Sequence, residues 1–268
     1  MRRVGLIGCG TIGTQLALAI QKEFRNVAKL VTIADSNAAA AAELKRRAHL
    51  SASVVSIPEL IKKSDIVLEA ASSAIVTDVV GRAIAANKDI LVMSAGGLLL
   101  NDAWRRKIKK SKSRLFIPSG ALAGLDAIKA MASARLSHVT LISRKPPKAL
   151  ASAPYIKQRG FGLDQLTHPM VVFEGSPREV VKHFPQNTNV AAALSLASGL
   201  ADDRIKVRVI ADPTINHNRH EVEAEGDCGK LHTIVESRPS QNPKTSEIAV
   251  RSGIAALYRI FGQVQIGT

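Results

Sequence analysis

The chain has 268 residues, of which 46% are hydrophobic and 22% are charged, a composition typical of a folded globular protein. Two cysteines exclude a disulfide-stapled scaffold, so we expect a reducing compartment and a cytoplasmic protein. No apolar run has the length of a membrane span, and we expect no signal peptide because Met1 leads at once into a short strand. The chain has 37 Lys and Arg against 22 Asp and Glu, a formal net charge of +15, which favours anionic partners.

The densest basic segment is residues 105–114, in which seven of ten residues are Lys or Arg. Aromatic residues make up only 3% of the chain, and none lies within this segment. Proteins that bind single-stranded nucleic acids stack the bases on aromatic side chains. A nucleic acid partner is therefore not favoured, and a solvated helix face is the simpler interpretation of the basic segment.

Short apolar strands alternate with helices over the first part of the chain. The predicted strands are 3–7, 29–35, 54–55, 65–70, 89–94 and 114–117. Helices are predicted from the glycine loop to about residue 24 and over 37–48, 58–63, 73–86 and 101–111. Continuous apolar strands separated by helices predict an α/β fold with a doubly wound parallel Rossmann sheet, covered on both faces, over residues 1–119.

The pattern changes after residue 118. Strands are predicted over 137–143, 170–174, 204–210, 220–224 and 230–236, helices over 121–134, 177–183 and 189–198, and a proline-rich loop over 146–154. Several of these strands alternate polar and apolar residues, which predicts a mostly antiparallel sheet with one covered face. We expect a second α+β domain over residues 120–244, and a C-terminal helix within 245–268 that packs back on the first domain.

Gly8, Gly10 and Gly13 form the pattern Gly-x-Gly-x-x-Gly between the first strand and the first helix, with Thr11 and Ile12 inside it. The first glycine permits a tight turn, the second lets a pyrophosphate approach bare backbone, and the third lets the helix pack close to the strand. The helix N-terminus then faces the phosphates. These five positions predict a dinucleotide-binding site.

Asp35 ends the second predicted strand, where an acidic side chain accepts hydrogen bonds from the adenosine ribose hydroxyls. Its carboxylate would repel a 2′-phosphate, so Asp35 predicts NAD as the cofactor. The basic residues Lys45, Arg46 and Arg47 follow in the next helix, so NADP remains possible.

Small residues follow three of the predicted parallel strands: Ala71 and Ser72 the fourth, Ala95 the fifth and Ser119 the sixth. Ligands bind at the carboxyl ends of the strands in such sheets. The small side chains leave room for a nicotinamide ring and a small substrate. Ser119 is also suited to capping a helix, and the two roles are compatible.

A polar segment over residues 212–221 carries two of the seven histidines, His217 and His220. A dehydrogenase needs a group that titrates near neutrality to move a proton, and histidine is suited to this role. Together with Cys228 and His232, these histidines raise the alternative of a metal site. Residues three apart in an extended segment point to opposite faces, so His217 and His220 would not converge, and we expect no metal.

Several blocks of the sequence resemble the L-aspartate dehydrogenases of NAD biosynthesis, and together they extend over nearly the whole chain. The blocks are 8–13, 69–72, 92–96, 118–126, 187–194, 212–213 and 218–222. The resemblance implies that His220 is the catalytic histidine. It also implies that Asn189, with Asn187 a close second, lies at the nicotinamide side of the cofactor, and that Ala121 or Ala123 contacts the cofactor through the backbone.

Two positions depart from the pattern of that family. Asn216 stands where a basic residue commonly precedes the catalytic histidine, and Cys228 stands where an aromatic residue usually follows Gly-Asp. The first departure leaves open which residues hold the substrate carboxylates. The candidates for substrate binding are Ser119, Asn187, His217 and Arg219.

The resemblance implies NAD-dependent oxidative deamination of L-aspartate to iminoaspartate, which then hydrolyses to oxaloacetate and ammonia or feeds NAD biosynthesis. We expect a homodimer with no membrane partner. One alternative is a related two-domain reductase that acts on homoserine or a cyclic imine. The other is a non-catalytic NAD-sensing protein that binds nucleic acid through residues 105–114.

Overall fold

The computed structural model describes residues 1–185, 189–240 and 245–267. The chain divides into two compact units. Unit 1 comprises Met1–Pro118 and Val250–Gln265, and unit 2 comprises Ser119–Ala249 and Ile266–Thr268. No helix in the described ranges is both long enough and apolar enough to cross a membrane.

Unit 1 contains a parallel sheet of six strands. In chain order they are β1 (Arg2–Ile7), β2 (Ala28–Ala34), β3 (Ser53–Val54), β4 (Ile66–Glu69), β5 (Asp89–Val92) and β6 (Leu115–Phe116). Their order in the sheet is β3-β2-β1-β4-β5-β6, and every neighbouring pair is parallel. The doubly wound sheet is therefore confirmed. The order reverses between β1 and β4, and ligands of such sheets bind at this switch point.

Six helices connect these strands: α1 (Thr11–Lys22), α2 (Ala38–Arg47), α3 (Ile57–Lys63), α4 (Val76–Ala85), α5 (Ala95–Leu100) and α6 (Ala103–Ile108). The sequence predicted a single helix over 101–111, which corresponds to α6, and it missed α5. The pair Gly96-Gly97 is typical of a turn. In the structure a Cβ at Gly97 would overlap the carbonyl oxygen of Ser73, so glycine here lets α5 pack closely against the loop that precedes α4.

Unit 2 contains a sheet of five strands, β7 (Leu136–Lys145), β8 (Met170–Gly175), β9 (Ile205–Ala211), β10 (Asn218–Gly226) and β11 (Gly229–Ser237). Their order is β11-β10-β7-β9-β8, and only β7 and β9 pair in parallel. The mostly antiparallel sheet is confirmed. Along β7 the buried residues alternate with more exposed ones, so one face of the sheet forms a core and the other is outer.

The helices of unit 2 are α7 (Leu125–Ala132), α8 (Pro147–Leu150), α9 (Pro154–Arg159), α10 (Pro177–His183) and α11 (Asn189–Ser198). Their side chains Ile128, Leu150, Val180 and Leu194 join the buried core of the sheet. The prediction of a loop over 146–154 was wrong at both ends. Proline occupies the first turn of α8 and of α9, where its fixed φ suits a helix and its missing N–H is not needed.

The last helix, α12 (Glu247–Phe261), belongs to unit 1 from Val250 onward. Leu257 is fully buried in the core of unit 1 together with Leu16. The ring of Tyr258 packs edge-on against Phe24, with 4.8 Å between the ring centroids. Apolar residues spaced along one face of α12 thus hold this part of the helix on unit 1.

Candidate active site

The glycine loop lies between β1 and α1, where the sequence predicted it. Gly8 has a φ of +94°, and a Cβ there would lie 2.5 Å from the carbonyl oxygen of Ala70. A Cβ at Gly13 would overlap the carbonyl oxygen of Gly8, so only glycine allows α1 to begin this close to the strand. A Cβ at Gly10 would meet nothing within 4 Å, so the backbone at this position borders open space. The loop therefore fits a pyrophosphate group.

Two backbone hydrogen bonds orient Asp35, one from the glycine loop and one from the start of α2. Its Oδ2 accepts from the N–H of Cys9 at 2.6 Å, and its Oδ1 accepts from the N–H of Asn37 at 2.7 Å. Each carboxylate oxygen can accept a second hydrogen bond. The side chain is thus fixed in orientation and keeps acceptor capacity for ribose hydroxyls. Thr11 and Ile12 form the first turn of α1, beside this loop.

Glu69, the last residue of β4, is fully buried and links the loops that follow β4 and β5. Its Oε1 accepts from the N–H of Ala71 at 2.8 Å and from Ser94 Oγ at 3.0 Å, and its Oε2 accepts from the N–H of Ser94 at 3.1 Å. Burial raises the pKa of Glu69, and these hydrogen bonds act in the opposite direction.

The carboxylate of Glu69 therefore determines where the loops with Ala71, Ser72 and Ala95 lie. Ala71 and Ser72 are exposed, whereas Ala95 is buried at the start of α5. Glu69 was not among the site residues predicted from the sequence. The available signal was an acidic residue at the end of an otherwise apolar strand.

His220 lies in β10 on the buried face of the unit 2 sheet, and only 3% of its surface is exposed. Its neighbours in register are Ser143 of β7 and Val235 of β11. The Nδ1 atom of His220 is buried and has no hydrogen-bond partner among the residues that the structure describes. Burial lowers the pKa of His220 to about 3, and the positive charge of Lys145 contributes. The imidazole is therefore neutral at pH 7.

Lys145 ends β7 on the same face as Ser143 and is 4% exposed. Burial lowers its pKa to about 8, and no carboxylate in the described ranges compensates its charge. Lys145 was not among the site residues predicted from the sequence, because a lysine at the end of an alternating strand is usually solvent-exposed.

The candidates Arg219 and His217 are not brought together with His220. Arg219 is adjacent to His220 in β10, so its side chain lies on the opposite, outer face of the sheet. There its Nε donates to Glu221 Oε1 at 3.0 Å, and its Nη1 donates to Glu236 Oε1 at 3.4 Å. His217 Nε2 lies 3.7 Å from the same oxygen of Glu236. Glutamates therefore already compensate the charge of Arg219.

The remaining candidates lie in two segments of unit 2. Ser119 is half-buried, Ala121 is buried, and Ala123 is exposed, with its carbonyl oxygen accepting from Thr233 Oγ1 at 3.3 Å. Asn189 is half-buried and begins α11. Asn187 lies outside the described residues.

Within the described ranges, no three His, Cys, Asp or Glu side chains are grouped in a way that could hold a metal ion. Cys228 is an exposed free thiol in the turn between β10 and β11. His232 lies on the outer face, with its Nε2 3.6 Å from Glu221 Oε2.

Residues 126–260 match the family model of the aspartate dehydrogenase C-terminal region. Among curated relatives, the L-aspartate dehydrogenase of Methanosarcina barkeri is 43% identical over 273 residues, which cover 100% of both chains. The chain belongs to the aspartate dehydrogenase family. The L-aspartate dehydrogenase 3 of Bordetella bronchiseptica is 35% identical and covers 99% of this chain and 97% of that protein. The predicted family is thus confirmed.

Residues 8–118 match the family model of the homoserine dehydrogenase NAD-binding domain, so unit 1 is a pyridine nucleotide-binding domain. The crystal structure of aspartate dehydrogenase from Thermotoga maritima matches this chain with a TM-score of 0.75 and 24% identity, over 100% of both chains. At that identity the match shows the fold. It agrees with the combination of a parallel six-stranded sheet and a mixed five-stranded sheet.

Proposed function

We propose that the protein catalyses the NAD-dependent oxidative deamination of L-aspartate to iminoaspartate, which feeds NAD biosynthesis or hydrolyses to oxaloacetate and ammonia. The observation that carries the proposal is the state of His220, whose buried imidazole is neutral and whose Nδ1 has no partner in the described part of the chain. It supports an amino-acid dehydrogenase because the substrate ammonium must lose a proton before its Cα can be oxidised. Membership of the aspartate dehydrogenase family supports aspartate as that substrate.

The residues of unit 1 fit a dinucleotide. The open space at Gly10 would accommodate the pyrophosphate, and the acceptor oxygens of Asp35 would bind the ribose hydroxyls. The carboxylate of Asp35 disfavours a 2′-phosphate, so we propose NAD over NADP. When bound, the nicotinamide ring accepts a hydride from the Cα of the substrate.

We assign two proton transfers to His220. The neutral imidazole first takes a proton from the substrate ammonium, which leaves the amine lone pair free to assist departure of the hydride. After releasing that proton to solvent, the neutral imidazole can take a second proton from the water that attacks the imine carbon. Both roles require a neutral imidazole at the start, which burial provides. The same burial makes His220 a weaker base than the near-neutral group expected from the sequence, because its pKa falls to about 3.

The test of this function is reduction of NAD, followed at 340 nm, with L-aspartate, D-aspartate, L-glutamate and L-homoserine. We expect turnover with L-aspartate alone, and its loss in His220→Ala. His138→Ala is the matched control, because His138 is an exposed histidine of the same sheet. Preferred turnover of homoserine, or equal activity in His220→Ala and wild type, would overturn the proposal.

We also propose a cytoplasmic homodimer that forms through the outer face of the unit 2 sheet. Two apolar side chains are exposed there, Val171 at 50% and Ile234 at 47%. Ion pairs lie on the same face; in one of them Arg208 Nη2 is 2.6 Å from Glu174 Oε2. A surface that combines exposed apolar side chains with paired charges can pack against the same surface of a second copy. We expect the dimer mass by light scattering and a monomer for Ile234→Asp; a monomeric wild-type protein would contradict the proposal.

A further inference from the structure

The buried face of β7 and β10 presents three polar side chains whose hydrogen-bonding capacity is not filled. Ser143 Oγ and His220 Nδ1 are both buried and have no partner among the described residues. Lys145 is buried, and in the described part of the chain no carboxylate compensates its charge. Buried polar groups without partners are rare in folded proteins, and they commonly mark a functional site.

The register of the sheet brings these three side chains together. His220 and Ser143 are directly opposed across β10 and β7. Lys145 is two residues beyond Ser143 on β7, so its side chain lies on the same face of the sheet. Diagonal neighbours of this kind lie within reach of long side chains, and the charge of Lys145 does act on the imidazole of His220.

The site has the chemistry of an anion-binding site. It contains an ammonium group and a hydroxyl, and both can donate hydrogen bonds to a carboxylate. The small cavity that Ser143 and Lys145 line has space for about one water molecule, so internal hydration replaces little of what an exposed ammonium would have. One carboxylate oxygen can take the place of that water, whereas a whole substrate cannot enter the cavity. A buried cation is stabilised when an anion joins it, and without one its pKa falls, as the pKa of Lys145 does here.

We propose that Lys145 and Ser143 bind a carboxylate group of the dicarboxylic substrate next to His220. The proposal rests on the proposed function for the identity of the substrate, but the carboxylate site itself can be tested without turnover. The site also explains why this chain can have Asn216 where its family commonly has a basic residue, because Lys145 on β7 supplies the cation.

The charge of Lys145 also affects how strong a base His220 is. Lys145 is the charged group in the described ranges that acts on His220, since Ser143 and Val235, its neighbours in register, are uncharged. A bound carboxylate compensates the charge of Lys145, which makes His220 a stronger base when substrate is present. Binding of substrate and activation of the base are thereby linked.

The first experiment measures binding of succinate, a dicarboxylate without an amino group, to the full chain by calorimetry. We expect Lys145→Met to weaken binding by about tenfold to a hundredfold and Ser143→Ala by severalfold. The control is Lys206→Met, because Lys206 is an exposed lysine paired with Glu174 on the outer face. Equal affinity for succinate in Lys145→Met and wild type would overturn the proposal.

The second experiment uses turnover and the pH profile. In Lys145→Met we expect KM for L-aspartate to rise by about tenfold or more, and the acid limb of kcat/KM to move to higher pH because His220 loses a neighbouring cation. A residue with only a structural role would move neither. If Lys145→Met does not fold, Lys145→Gln, which also removes the charge, carries the same two tests, and Ser143→Ala carries the succinate and KM measurements.

The two proposals fail in different ways. If wild type binds succinate through Lys145 but oxidises none of the tested amino acids, the aspartate dehydrogenase activity is wrong and the carboxylate site stands. If wild type oxidises L-aspartate while Lys145→Met keeps the wild-type KM and succinate affinity, the carboxylate site is wrong and the activity stands.

Discussion

The burial of His220 predicts a specific loss of stability in acid. The folded protein holds its pKa at about 3, against 6.5 for an ordinary histidine. Below pH 6.5 the unfolded chain therefore binds a proton that the folded chain does not, and stability falls as the pH falls towards 3. Each pH unit in this window costs about 1.4 kcal/mol, so the burial of His220 costs about 2 kcal/mol between pH 7 and pH 5.

The perturbation is His220→Asn, which removes the titrating group and keeps a polar side chain. Urea unfolding at pH 7 and pH 5 gives the free energy of unfolding at each pH. We expect the variant to lose about 2 kcal/mol less than wild type over this interval, whatever its stability at pH 7. His138→Asn, at an exposed position, should follow wild type. An equal loss in His220→Asn and wild type would refute the assignment of a buried neutral imidazole.

Three further predictions concern the cofactor site. Glu69→Gln replaces an acceptor oxygen with an NH2 group, so the backbone N–H of Ala71 or of Ser94 loses its partner. We expect the affinity for NAD, measured by calorimetry, to fall about tenfold or more. An unchanged affinity would exclude a positioning role for Glu69. Asp35→Ser removes the charge that disfavours a 2′-phosphate, so the kcat/KM ratio of NAD to NADP should fall at least about tenfold; an unchanged ratio would show that Asp35 does not select the cofactor. Gly10→Ala adds a methyl group in open space, so Tm should stay at the wild-type value while NAD affinity falls about tenfold, and a lower Tm with normal affinity would contradict an open cradle there.

The parts of the fold that the sequence predicted depend on local patterns. Continuous apolar strands separated by helices indicated the parallel sheet, and Gly8, Gly10 and Gly13 located the nucleotide loop because the turn, the open space and the close helix packing each require glycine. The errors arose where one residue type serves two purposes. Gly97 permits close packing of α5 against the loop that precedes α4, and the prolines at 147 and 154 begin helices and do not interrupt them.

The candidate site was harder to predict because its members come from distant strands. Lys145 and His220 meet through the pairing of β7 with β10, which no local pattern reveals. Glu69 acts through backbone groups that follow two different strands. The position of the Arg219 side chain could have been predicted, however, because Arg219 is adjacent to His220 in a strand and the two side chains must lie on opposite faces.

The most direct test of the central claim is the fate of the Cα hydrogen of aspartate. The protein is incubated with NAD and L-aspartate that carries deuterium at Cα, and the reduced nucleotide is analysed by mass spectrometry. We predict that wild type yields reduced nucleotide one mass unit heavier than with unlabelled aspartate, and that His220→Asn yields at most traces of it. Unlabelled reduced nucleotide, or none from wild type, would contradict an aspartate dehydrogenase that works through His220.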